Sequence, residues 1–269
     1  MRTAVCAPIL VVVLAAASAR AQDRATGESQ RRPAPIPEPI LTESITDLDA
    51  VEAGETEFAL NGQILHAARG GARAWQASVE AEWRATSHLG LRLEPSYANL
   101  EEEGRSREFG LQVAAAWGLF HDFENDFHVQ VEATGRLTGN EKPFESQPGD
   151  SALPYSAGVR VGKRFGSWTI RPGAGAEVGA TPAHAPLWLG IGVLYQLGEA
   201  GRYGFVGMEL DADAGRDTPF IVAPNFMVDM KPVGFPFRLG FAVPYVVGAD
   251  KREPSLGFYL RLLVRTEMD

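Results

Sequence analysis

Ala74-Trp75-Gln76-Ala77-Ser78-Val79-Glu80-Ala81-Glu82-Trp83-Arg84 alternates without a slip. Trp75, Ala77, Val79, Ala81 and Trp83 share one face, and Gln76, Ser78, Glu80, Glu82 and Arg84 share the other. A period of two is that of a β-strand, whose successive side chains point to opposite sides. On a helix the same residues would scatter around the axis. The apolar face carries a Trp near each end, which suits a hydrocarbon layer bounded by two interfaces. The polar face needs water or partners.

The pattern recurs to the end of the chain. Strands are expected at Glu55–Leu65, Ala74–Arg84, Leu89–Tyr97, Glu108–Leu119, Phe127–Leu137 and Tyr155–Arg164. Six more follow at Trp168–Val178, Leu187–Gln196, Tyr203–Leu210, Phe220–Met227, Phe235–Tyr245 and Leu256–Val264. The count is about 12, with 10 as the alternative, and an even number returns both termini to one side of a membrane. Segments after odd strands, such as Thr138–Pro154, are generally longer than segments after even ones, such as Thr86–His88. Short periplasmic turns and longer outer loops produce that alternation. An open sheet in hydrocarbon would leave its edge N–H and C=O groups unpaired, so the fold class is all-β: a closed antiparallel transmembrane β-barrel. Pro172 lacks an N–H, so a bulge or a local opening is expected in the seventh strand.

The barrel is expected to occupy 55–269, and two units precede it. Residues 1–21 read as a secretory signal peptide: Arg2, the apolar run Ile9–Ala17, then the exit Ala19-Arg20-Ala21. Residues 22–54 form a Pro-rich and acidic periplasmic leader, with Arg31-Arg32-Pro33-Ala34-Pro35-Ile36-Pro37-Glu38-Pro39 followed by Glu43, Asp47, Asp49 and Glu52. Such a segment is extended or flexible, with a possible short helix from Ser44 to Glu52, and is a possible site for a protein partner. Cys6, the single cysteine, lies in the signal peptide, so the mature chain has no disulfide.

The net charge is −9, and removing Arg2 and Arg20 makes it more negative, which argues against a general nucleic-acid binder. The expected partners are outer-membrane lipid and lipopolysaccharide, with acidic Glu101-Glu102-Glu103 and Asp211/Asp213 in outer loops able to bridge divalent ions. No GxSxG, P-loop or dinucleotide fingerprint is present. Ser87 and His88 are adjacent, which on a strand sends them to opposite faces, and His184 has no serine at a helpful spacing. The expectation is a protein without catalytic residues or cofactors. His121-Asp122-Phe123-Glu124-Asn125-Asp126-Phe127-His128 is rich in metal-ligand types, yet its spacing matches neither an EF-hand loop nor HExxH. It falls at an expected periplasmic turn, where polar residues are needed anyway, so no metal site is expected.

The candidate functional residues are charges on the polar strand faces: Glu80, Glu82, Arg84, Arg92, Glu94, Glu132, Arg136, Arg160, Arg238 and Arg261. Arg164, Arg171, Glu177 and Glu209 belong to the same set. Inside a barrel these groups pair, plug the interior, or line a narrow aqueous path. Mixed signs argue against a filter built from one ring of like charge. Closure would bring Arg238 and Arg261 near Arg84 and Arg92 as a local basic strip. Gly173 and Gly175 read as room for packing inside a curved sheet.

The leader, the Trp75/Trp83 strand and the final strand Leu256-Gly257-Phe258-Tyr259-Leu260-Arg261-Leu262-Leu263-Val264 together resemble small, porin-like or transporter-like outer-membrane β-barrel proteins of Gram-negative bacteria. Such proteins commonly end in an aromatic residue, whereas this chain ends Glu267-Met268-Asp269. The resemblance implies the bacterial outer membrane and carries no catalytic residues and no assigned substrate. The expected function is a channel passing ions or small solutes by passive diffusion through a narrow charged lumen. The alternative is a plugged membrane anchor or scaffold that binds a protein partner through its leader or outer loops.

Overall fold

The structure, a computed structural model, describes residues 54–67, 73–86, 88–100, 106–122, 124–138, 155–178, 187–198, 202–214, 220–247 and 255–266. Residues 1–53, on which the expected signal peptide and leader fall, lie outside the described residues, as do Ser87, Phe123, His184 and most of the longer connections.

The strands are β1 (Thr56–Ala67), β2 (Arg73–Arg84), β3 (Leu89–Leu100), β4 (Ser106–Asp122), β5 (Phe127–Thr138), β6 (Tyr155–Phe165) and β7 (Trp168–Val178). After them come β8 (Leu187–Leu197), β9 (Gly204–Ala214), β10 (Phe220–Asp229), β11 (Phe237–Ala242), β12 (Tyr245–Val247) and β13 (Ser255–Thr266). Each pairs antiparallel with its neighbours, and β1 pairs with β13 from Thr56↔Thr266 to Ala67↔Ser255. That last ladder closes the sheet.

β11 and β12 form one stave. Both face β10 in a single register, Asn225↔Ala242 and Val222↔Tyr245. Pro224 and Pro244 sit at the interruption and lack the N–H groups a continuous ladder would use. Val243 N–H still donates to Pro224 O at 3.0 Å, and Gly257 N–H donates to Pro244 O at 2.8 Å. The barrel is therefore closed, antiparallel and 12-stranded, not 10-stranded. Followed around the barrel, the registers accumulate a shear of about 14 residues. With 12 staves that corresponds to a tilt of roughly 40° and a backbone radius of roughly 12 Å.

Pro172 opens its ladder without shifting it. Arg160↔Gly173 and Lys163↔Ile170 share one register, the two rungs between them are missing, and Pro172 pairs with Ile191 on its other side. Two register shifts lie instead between β4 and β5, one at Leu111/Gln112 and the other, a bulge in β4, between Gly118 and Phe120. The bulge turns both Leu119 and Phe120 outward and carries His121 into register with His128 on the inner wall.

Outside, the barrel is apolar. Leu60, Val79, Leu93, Val159, Leu189, Met208 and Leu260 form the exposed middle band. Trp75, Tyr97, Phe109, Phe220 and Phe258 ring the outer end, and Trp83, Phe120, Phe165, Trp168 and Tyr195 ring the periplasmic end. Some of these rings touch across strands, as Trp75–Tyr97 do at 5.5 Å and Trp168–Tyr195 at 4.9 Å between centroids. A closed barrel with this belted apolar surface belongs in a membrane. Val79, at the middle of β2, faces lipid. Val79→Arg is expected to cost about 2–4 kcal/mol of folding stability. Urea titration in liposomes checks it, and a change within error of wild type would place Val79 off the lipid face.

Candidate functional site: the charged lumen

The same alternation that greases the outside fills the inside with polar groups. Glu57, Asn61 and Gln63 of β1, Gln76, Ser78, Glu80, Glu82 and Arg84 of β2, and Arg92 and Glu94 of β3 are all buried on the inner wall. Arg261 reaches this wall from β13. Its Nη2 donates to Glu80 Oε1 at 2.9 Å, and Asn61 Nδ2 donates to Glu80 Oε2 at 3.4 Å. One carboxylate thus ties β13, β1 and β2 together across the closing seam. Glu80 is 1% exposed and the Arg261 side chain 5%, so the pair is desolvated. Glu82 stands opposite Arg92 in register, which places opposite charges on adjacent strands.

On the far wall, Arg160 Nε donates to Glu132 Oε1 at 2.9 Å. The pair is diagonal, since Glu132 faces Gly158 in register. Arg171 of β7 and Glu209 of β9 lie on one register row with Gly192 of β8 between them. Glu209 accepts from Asn225 Nδ2 of β10 at 2.5 Å. Arg238 lies at the periplasmic end, where its Nε donates to Asp229 Oδ2 at 3.2 Å. Closure brings Arg261 to Glu80 of β2, on a register row with Asn61 and Ser78, whereas Arg84 and Arg92 lie further toward the periplasmic end and Arg238 sits apart with Asp229. Arg136 lies in β5 and Glu177 in β7, and their side chains are outside the described residues. Glu57 and Asn225 also belong to the inner wall, although neither was singled out from the sequence; the alternation Glu57-Phe58-Ala59-Leu60-Asn61 carried the signal for the first.

An apolar cluster shares the interior. Leu194, Phe205, Met227, Ala242 and Tyr259 pack together on β8 to β13, facing inward. The lumen thus mixes apolar and charged side chains here, with Glu209, Arg238 and Arg261 on the same strands as the cluster.

Trp188 occupies a recess further out. Gly158 of β6 and Gly173 and Gly175 of β7 lie under its indole, and a Cβ at Gly158 or Gly175 would collide with the ring. The Arg160 guanidinium stands 4.9 Å from the ring centroid, a cation–π contact. The room those glycines provide is for one aromatic side chain. Gly175→Ala would also press on the Ala157 carbonyl oxygen, so it is expected to destabilise the barrel by about 1–3 kcal/mol. Trp188→Ala should not rescue it, because the backbone contact remains; full recovery of the urea midpoint in the double variant would show that the ring alone was the obstacle. A largely apolar cavity of about 830 Å³ at this wall is lined by the outward-facing Ala115, Trp117, Val131, Ala157, Ala174 and Leu187 and also by Glu132 and Trp188.

Around the segment rich in metal-ligand types, side chains hydrogen-bond to the turn. Asp122 accepts from the backbone N–H groups of Glu124 and Asn125, each at 3.1 Å, and from Asn125 Nδ2 at 2.8 Å. The Asn125 side-chain bond is the largest of the contacts that hold the Asp122 carboxyl below its ordinary range, at the turn beyond the lipid-facing part of β4. Asp126, at φ +47°, is gripped by Arg164 Nη2 at 2.5 Å and Arg164 Nε at 3.0 Å. His121 and His128 face one another with centroids 6.4 Å apart. Among the described residues no group of three or more metal-ligating side chains converges.

No family model matches the chain, and no curated protein matches it. Solved structures do. The COG4313 outer membrane channel from Pseudomonas putida F1 superposes with a TM-score of 0.61 at 11% identity, over 82% of this chain and 98% of that one. The KdgM porin in complex with disordered oligogalacturonate superposes with a TM-score of 0.56 at 9% identity, over 78% of this chain and 99% of that one. The free KdgM porin gives 0.54 at 9% identity, over the same shares. At these identities the likeness is one of fold: a small outer-membrane β-barrel of porin-like architecture.

Proposed function

We propose that the barrel is a non-enzymatic outer-membrane channel that passes ions or small solutes by passive diffusion through its narrow charged lumen. The observation that carries this reading is the two-walled inner lining. Glu57, Glu80, Glu82, Glu94, Arg84, Arg92 and Arg261 line one wall, and Glu132, Arg160, Arg171 and Glu209 line the other. Buried charge is costly, and a barrel used only as an anchor is more cheaply filled with apolar side chains. The fold shared with an outer membrane channel and a porin supports the same reading. Lipid and lipopolysaccharide would cover the belted outside. The KdgM porin was captured with an acidic oligosaccharide, whereas here the lining carries both signs. Charge preference in this lumen should accordingly be weak, with cation and anion permeabilities within about threefold of each other.

The test is single-channel conductance of the mature protein in a planar bilayer, with the reversal potential read under a salt gradient. Steady steps with a reversal potential near zero are expected. Absence of current from a demonstrably folded barrel would sink the channel reading and favour the second one, a plugged scaffold. That second reading has its own observation: the inward cluster of Leu194, Phe205, Met227 and Tyr259, which fills part of the interior with largely apolar side chains.

A further inference from the structure

We infer that the outer half of the lumen holds a weak subsite for a neutral hydroxylated ring, a hexose in its pyranose form, with Trp188 as the platform. The inference rests on the channel reading and names the class of solute that such a channel would take.

The platform comes first. Trp188 points inward from β8, and β6 and β7 are cut back to backbone beneath it. A Cβ at Gly158 would collide with Cζ2 of the indole and one at Gly175 with Nε1 and Cε2, and one at Gly173 would come within 3.1 Å of Cζ3. These contacts run from the pyrrole nitrogen to the far edge of the benzene ring, so the indole lies with one face along the wall. Its other face is turned to the lumen. Packing alone does not call for this. Leu194, an inward side chain that fills space, is 0% exposed, whereas Trp188 is half-exposed, as are the inward residues Ser156, Gly173 and Gly190 around it. Glycine weakens a strand, and here three of them keep one aromatic face flat and within reach of solvent.

The rim comes next. The far edge of the ring reaches β6 at Gly158, which faces Glu132 of β5 in register. Two residues toward the outside, Ser156 faces Thr134. Two residues toward the periplasm, the Arg160 guanidinium lies 4.9 Å from the ring centroid. Ser156 and Arg160 are thus about 13 Å apart along the strand, with the indole edge between them. Ser156 and Thr134 bring hydroxyls, which donate and accept, and Glu132 brings a carboxylate, which accepts. All three stand on the inner wall and are partly exposed.

Chemistry selects the ligand. A pyranose has a C–H face, which packs on an aromatic ring, and a perimeter of hydroxyls, which both donate and accept. A flat apolar centre inside a polar rim matches that shape. The charges of the rim disfavour a charged solute. Arg160 Nε donates to Glu132 Oε1 at 2.9 Å, so an anion would have to displace that carboxylate and a cation that guanidinium. A hydroxyl displaces neither, because a carboxylate accepts several hydrogen bonds. Passage also requires binding weak enough for release, so a dissociation constant of about 1–10 mM is expected.

The test is fluorine NMR of the whole mature chain, refolded in micelles with fluorotryptophan in place of tryptophan. The sequence has five Trp, and Trp75, Trp83, Trp117 and Trp168 face outward, so four of the lines are internal controls. Maltotriose should move the Trp188 line, assigned by its loss in Trp188→Phe, and leave the other four in place. Trigalacturonate, which is acidic, and the glucosamine trimer, which is basic, should bind at least about tenfold more weakly. Ser156→Ala with Thr134→Val keeps the ring and removes the hydroxyls, and should weaken maltotriose binding by about three- to tenfold. An unmoved Trp188 line up to about 100 mM maltotriose overturns the subsite. Equal movement of all five lines does so too, as does trigalacturonate binding as tightly as maltotriose. The titration of the unaltered chain needs no substitution, so a folding defect in a variant does not shelter the idea. The readout requires no current. Binding without conductance keeps the subsite and sinks the channel, and conductance with an unmoved line does the reverse.

Discussion

Replacing Arg261 by methionine is expected to lower the stability of the folded barrel by about 3–5 kcal/mol, the cost of leaving a partner charge buried. Its guanidinium lies 2.9 Å from Glu80 Oε1, and the two side chains are 5% and 1% exposed. Methionine matches the length of the arginine stem but strips the carboxylate of that partner. Glu80 would then have to be protonated or drag water into the wall. Adding Glu80→Leu should return most of the loss, because two apolar groups of similar volume remove both desolvation costs. The measurement is urea unfolding in liposomes, with the shift in gel migration on heating as a check on folding. A loss below about 1 kcal/mol would mean that the pair is hydrated like a surface ion pair and does not hold the seam.

That seam shows what was and was not legible beforehand. The strand faces were plain in the sequence, because Trp75 to Trp83 and Glu80 to Arg84 alternate without interruption. The inward position of Glu80, Glu82, Arg84, Arg92, Glu94 and Arg261 follows from that period alone. The partnership of Glu80 with Arg261 does not, since 181 residues separate them and only the closing register of β1 with β13 brings them together. Diagonal pairing hid Glu132–Arg160 in the same way, because the register partner of Glu132 is Gly158. The β4 bulge was silent, for Leu119 and Phe120 are both apolar and either suits lipid. Prolines misled about its place. Pro172 keeps its register, because a missing N–H removes a rung without adding a residue. Pro224 and Pro244 split the eleventh stave, which the sequence reads as one strand from Phe235 to Tyr245, into Phe237–Ala242 and Tyr245–Val247. Gly173 and Gly175 signalled a need for space, but nothing local pointed to Trp188 as the side chain that fills it.

Arg160→Glu is the substitution expected to move ion selectivity furthest. Arg160 stands at the outer margin of the charged zone, half-buried, beside Glu132 and against Trp188. On the proposed channel reading, ions crossing the lumen would pass close to it, and it lies outside the buried seam that Arg261 closes. The change replaces a positive group by a negative one, a difference of two charges. For a monovalent ion about 6 Å away in a water-like medium, that difference is about 1.4 kcal/mol. A cation gains this and an anion loses it, so each permeability should change by about tenfold in opposite directions at low salt. Glu132 then faces a second carboxylate, which adds to the cation preference. In a planar bilayer under a salt gradient the reversal potential should swing from near zero toward the cation limit. The swing should shrink as ionic strength rises, because the screening length falls to about 3 Å at 1 M salt. A reversal potential unmoved at low salt, with unchanged step size, would mean that ions do not pass this wall. The Arg160–Glu132 pair would then be a structural tie like Arg261–Glu80, and conduction, if observed, would have to follow another route through the barrel.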